Sequence, residues 1–182
     1  LSPTSENGYS FLSPRMELEV WSALCLGDLF YKLRCRTLPY HPRPDQAAGL
    51  IDEVVEEVCR LVLTGHSWEN TVRGLVMELD RTMDHRRPRK PLVGVVGEIF
   101  VRLNTFSNGH LIDAIEEAGG EAWLAPMSEW IHYVWTAVTR KSGPVNALGV
   151  TLKRTYLHWV ERRIHALFSP LLDDRGEPPI SE

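Results

Sequence analysis

The segment from Lys90 to Trp135, KPLVGVVGEIFVRLNTFSNGHLIDAIEEAGGEAWLAPMSEWIHYVW, constrains this chain more than any other. Leu92 to Val96 is a short apolar run rich in β-branched residues, which reads as a strand, and it halts at Gly97. A polar loop follows, then a helix opening near Asn108, a Gly119-Gly120 stop, and a second short strand from Glu121 to Ala125. The pattern predicts an α/β unit with its ligand edge outside the carboxyl ends of the strands. That rule places Gly97, Glu98, Arg102, Asn104, Ser107 and Asn108 on the working edge.

The flanks are helical by periodicity. Glu17 to Arg34 carries Val20, Leu24, Phe30 and Leu33, with Trp21 and Leu29 beside them. The three prolines of TLPYHPRPD break that helix. A second starts at Asp45, repeats Leu50, Val54, Val58 and Leu61, and meets Gly65. Ser67 reads as the cap of a third helix, whose apolar face is Val72, Leu75, Val76 and Leu79. Asp84 to Arg89 reads as a linker into the strand. Beyond the unit, helices are expected from Ser128 to about Arg140 and from Val145 to about Leu171, separated by KSGP. The expected organisation is 1–15 disordered or linker, 16–87 helical, 88–172 α/β unit plus C-terminal helices, and 173–182 flexible tail. The loop-like opening LSPTSENGYSFLSPR and the polar tail predict one domain, a fragment of a larger protein.

Each edge residue carries two readings. Glu98 directly follows the strand, where a carboxylate could take a proton or bind a ligand hydroxyl; it could equally hold Arg102 or cap a turn. Arg102 offers a planar fork for a phosphate or carboxylate, or else an ion pair with Glu98 or Glu129. Asn108 or Ser107 caps the helix His110–Ala118, whose free amides favour an anion. Glu129 and Trp130 open the next helix at the end of the second strand, where an acid suits the helix dipole and Trp130 suits a core.

Other chemistries find no support. The net charge of −4 over 182 residues is too mild for a nucleic-acid footprint, and HRRPRK at 85–90 reads as a solvated linker. Cys25, Cys35 and Cys59 lack CxxC spacing, which argues against a disulfide framework and for a cytoplasmic chain. No apolar run reaches the roughly 18 residues a membrane helix needs. GVVGEI lacks dinucleotide-loop spacing, no P-loop or GxSxG elbow occurs, and no metal is expected from the spacing of His85, His110, His132, His158 and His165. The sequence names no catalytic residue.

The same segment resembles the 2-hydroxyacyl-CoA dehydratase-like proteins that accompany, or are fused to, activase-type ATPase domains. The matching residues are Gly97-Glu98, Arg102, Asn104, Asn108, Gly119, Ala125-Pro126 and Glu129-Trp130, over about a quarter of the chain. RCRTLPYHPRPDQAAGLIDEVVEEV is similar to that family's turn before a long helix. The resemblance implies a small Rossmann-like or flavodoxin-like parallel sheet unit with large helical N- and C-terminal parts. It also implies an oxygen-sensitive iron–sulfur system in which an activase passes one electron to the dehydratase. In the relatives a cluster ligand follows the second strand, but here Ala125–Ser128 contains no Cys. A [4Fe-4S] cluster is therefore expected only in a larger assembly, and this chain's own cofactor stays open. The expected function is a domain that is non-catalytic alone, with an anion or CoA/nucleotide-type pocket at the strand edge. Its expected partners are the rest of a larger polypeptide or an activase-type ATPase, with a CoA ester as ligand. The alternative is a ligand-binding or subunit-docking module without redox chemistry.

Overall fold

The computed structural model describes residues 13–141 and 144–172. Its first helix, α1 (Pro14–Thr37), begins before the apolar stripe does. Ser13 supplies the cap, its hydroxyl accepting from the Met16 amide at 3.2 Å, and Pro14 enters at the first helical position. The expected linker thus ends sooner than residue 15. A short 3-10 turn (Leu38–Tyr40) occupies the proline-rich break, and α2 (Pro44–Leu63) and α3 (Glu69–Thr82) follow. Gly65, at φ 70°, ends α2 in a Schellman motif: its amide bonds Val62 O and the next amide bonds Leu61 O. Ser67 does not cap α3. Glu69 takes both the Ser67 hydroxyl and the Trp68 amide on its own carboxylate, so the acid of the first turn does the satisfying.

The sheet unit is β1 (Leu92–Val95), α4 (Ile99–Leu103), α5 (Leu111–Glu117) and β2 (Glu121–Leu124), continuing into α6 (Met127–Lys141) and α7 (Pro144–Leu172). The strands pair in parallel, with Leu92 against Glu121 and Val95 against Leu124. The predicted polar loop contains α4, a single short helix whose apolar face the sequence pattern did not mark. Gly119, at φ 88°, closes α5 with another Schellman pair, Gly119 N to Glu116 O and Gly120 N to Ile115 O. Gly120 is required by close approach, since a Cβ there would stand 2.9 Å from Ile115 Cγ2. The KSGP break falls partly on residues 142–143, outside the described residues.

The core is helical. Trp21, Leu29, Phe30 and Leu33 of α1 meet Ile51 and Val58 of α2, Val72, Leu75, Val76 and Leu79 of α3, and Leu157, Ile164, Phe168 and Leu171 of α7. The helices before and after the sheet unit therefore share one apolar cluster. The chain is mostly helical, with a two-stranded parallel sheet on its flank, and is α/β in the broad sense only. β2 lies against α1 with Ala122 and Leu124 buried, while Leu92 and Val93 of β1 are exposed. Among the described residues no helix is long and apolar enough to cross a membrane.

Candidate functional site

The carboxyl end of β2 opens onto a cleft of about 210 Å³. Leu24, Gly27, Asp28, Tyr31 and Lys32 of α1 form one wall; Leu103 of α4 and the turn Leu124–Met127 form the other. The lining is largely apolar with a few polar groups, as small-molecule sites are. Asp28 is the residue that sequence reasoning missed. Its two carboxylate oxygens accept from the amides of Met127 and Ser128, each at 2.8 Å. The positive end of α6 is thereby occupied by the chain's own acid, supplied from another helix a hundred residues away in sequence. Burial pushes the Asp28 carboxyl above its ordinary value, and the two amides and the Ser128 hydroxyl offset part of that rise.

The predicted edge residues divide in the structure. Glu98 is a cap: its side chain accepts from the Val101 amide at 2.9 Å and starts α4, just past Gly97 at φ 134°. Asn104 Oδ1 accepts from the Ser107 amide at 2.9 Å, which ties the following turn. Asn108 is committed twice, donating from Nδ2 to Arg102 O at 3.0 Å and accepting from the Leu111 amide at 3.2 Å. Asn108 thus satisfies the first amide of α5, while the N-cap position itself belongs to His110, whose side chain makes no cap bond. This helix has seven residues, and His110 ahead of it takes a left-handed conformation, at φ 58°. Asn104 and Asn108 shape the loop rather than offer free arms to a ligand, and the Ser107 bond comes from its main chain. Glu129 and Trp130 sit on α6, with Trp130 exposed rather than in the core.

Arg102 departs from one of its expected readings, the ion pair with Glu98 or Glu129. It is not in a surface ion pair; its residue is only 8 % exposed. Nε is buried with no hydrogen-bond partner among the described residues. A guanidinium nitrogen taken from water without compensation is costly, by about 1–3 kcal/mol or more for a charged group. Such an orphan is where a bound anion would restore what burial removed.

A second polar cluster lies where α6 meets α7. His132 Nε2 stands 2.8 Å from Glu161 Oε2, and His158 Nδ1 stands 3.4 Å from the same oxygen. Burial opposes ionisation of Glu161, but the hydrogen bond and charge of His132, the charge of His158 and the Ser128 hydroxyl together hold its pKa below the ordinary value. No spacing rule could have found this group, because its members come from two helices.

The thiols do not fit an iron–sulfur cluster. Cys25 and Cys35 lie on one helix, about 15 Å apart along its axis at 1.5 Å per residue, and Cys59 is exposed on α2. Burial pushes the Cys25 thiol up, and the Glu161 and Asp28 charges push it further. Burial likewise raises Cys35 to about 12. Cluster iron takes thiolates, usually four. Comparison with protein-family models, with curated proteins and with solved structures returned no match.

Proposed function

We propose that this chain is a ligand-holding α/β module of a 2-hydroxyacyl-CoA dehydratase-like, activase-linked assembly, cytoplasmic and without chemistry of its own. In this reading it binds an anionic group of the CoA or nucleotide type at the carboxyl edge of β1 and β2. The observation that carries the reading is the buried Nε of Arg102, without a partner among the described residues and one residue before cleft-lining Leu103. A planar guanidinium suits a phosphate or carboxylate, and the apolar cleft that the next residue lines suits a pantetheine-like or aromatic remainder. Any cluster chemistry belongs to other parts of such an assembly, since the thiols described above form no ligand set.

Thermal melting with CoA, ADP and inorganic phosphate tests this. A ligand at about a hundred times its Kd adds about 2.7 kcal/mol, which is a rise of roughly 5–11 °C for a domain this size. CoA should stabilise the protein, and Arg102→Gln should abolish the response while Arg73→Gln, at an exposed position of α3, keeps it. If Arg102→Gln responds as wild type does, the anion site is elsewhere.

The alternative, a docking module without a small ligand, draws on the exposed apolar residues of the same loop: Val96 at 76 %, Phe100 at 63 % and Phe106 at 90 %. It is favoured if none of the ligands shifts the melt while sedimentation velocity shows concentration-dependent association.

A further inference from the structure

The pair of helices α6 and α7 brings three metal-ligating side chains to one point. His132 lies in the second turn of α6, and His158 and Glu161 stand one turn apart on α7. Their ligand atoms all lie within 4.8 Å of one another. In a tetrahedral zinc site with bonds of 2.0–2.1 Å, neighbouring donors are about 3.3 Å apart. The measured separations from Glu161 Oε2, 2.8 Å to His132 and 3.4 Å to His158, bracket that value.

We propose that His132, His158 and Glu161 form a binding site for one divalent transition-metal ion of the zinc class, held by two imidazole nitrogens and one carboxylate oxygen. Three protein ligands leave a fourth position, and the site opens on the side of His158. Its side chain is 55 % exposed, against 10 % for His132 and 13 % for Glu161. Two ligands are therefore fixed and the third closes from solvent.

The surroundings are those of a supported site. The His132 ring meets the edges or faces of Trp21 at 5.4 Å and Trp135 at 5.7 Å, nearly perpendicular to both, so its orientation is set by packing. Behind Glu161, the Ser128 hydroxyl favours the charged form of this carboxylate, while the Ser128 amide holds Asp28 at 2.8 Å. Outer contacts of this kind orient a ligating carboxylate. Among the described residues the ion-pair partners of Glu161 are the two histidines, with no Lys or Arg to compete with a cation. The donor set is nitrogen and oxygen, without sulfur, which selects zinc-class ions over soft ones.

The test uses the untagged full chain, stripped with chelator and titrated with Co²⁺. Visible d–d bands should saturate at one ion per chain, with no sulfur-to-cobalt charge-transfer band. Zn²⁺ should displace the cobalt and raise the melting temperature, while Mg²⁺ should not. His158→Ala, at an exposed position, should keep the far-ultraviolet dichroism and weaken Co²⁺ by more than about tenfold, the least that even an outer-contact substitution costs. Glu161→Gln should do the same, and His66→Ala, elsewhere on the surface, should leave affinity unchanged. Absence of saturable binding overturns the site and leaves a plain His132–Glu161 hydrogen bond. So does a charge-transfer band, or affinity unchanged in both His158→Ala and Glu161→Gln.

Discussion

Nη1 of Arg36 reaches both carboxylate oxygens of Glu121, at 2.9 and 3.1 Å, with the two side chains only 10 % and 3 % exposed. The Tyr40 hydroxyl donates to the same carboxylate and accepts from the Lys90 amide at 2.9 Å. This knot joins the end of α1, the 3-10 turn, the residue before Pro91 and the first residue of β2. It adds a polar tie between the small sheet and the helical body to the packing of β2 on α1. Glu121→Ala should strand a buried guanidinium and cost about 3–5 kcal/mol. Urea unfolding measures the loss. A cost under about 1 kcal/mol, the worth of an exposed pair, would mean that the pair is open to water in solution.

Asn108→Ala should destabilise the chain by about 1–2 kcal/mol, because one side chain satisfies both the Leu111 amide and the Arg102 carbonyl. Ser107→Ala should stay within about 0.5 kcal/mol, since Ser107 bonds Asn104 through its main-chain amide. Denaturation of both variants distinguishes a structural Asn108 from a ligand-facing one; equal, negligible losses would contradict the double bond.

Two carboxylates should give opposite pH signatures. Asp28 has its folded pKa raised above the ordinary 3.8, so its contribution is full below the unfolded value and is lost as pH rises through the raised one. Glu161 has its folded pKa lowered below 4.5, so its contribution is full above the unfolded value and is lost as pH falls through the lowered one. Between about pH 3.5 and 7 the melting temperature of Asp28→Asn should therefore gain on wild type, and that of Glu161→Gln should fall behind it. Parallel curves for Asp28→Asn would show that Asp28 titrates as an open-water carboxylate.

A thiol reagent at neutral pH should label one cysteine quickly. Cys59 is exposed, whereas Cys25 and Cys35 are buried with raised pKa values and react only on unfolding. Cys59→Ser should remove the fast phase. A second fast thiol would mean that α1 opens locally on the reagent's timescale.

Punctuation and periodicity carried much of the fold into the sequence. Gly65 and Gly119 end helices because each takes a positive φ that other residues resist, and the β-branched run at Leu92 is a strand because its neighbours on both sides refuse a helix. Amphipathic spacing marked α2 and α3 for the same reason: the pattern records which face meets the core. α4 escaped, since five residues are too few to show a period.

At the site, local chemistry was legible and long-range chemistry was not. The loop residues Glu98, Asn104, Ser107 and Asn108 sit where the strand–loop–helix pattern put them, because their hydrogen bonds run to residues three to six positions away. By itself the sequence determined the long helices, the two strands and the position of their carboxyl edge. Only the tertiary structure decided that Asp28 caps α6, that Arg102 is buried with a nitrogen unpaired among the described residues, and that His132 meets His158 and Glu161. Those relationships depend on how α1, α6 and α7 pack, and packing joins residues whose separation along the chain leaves no periodic trace.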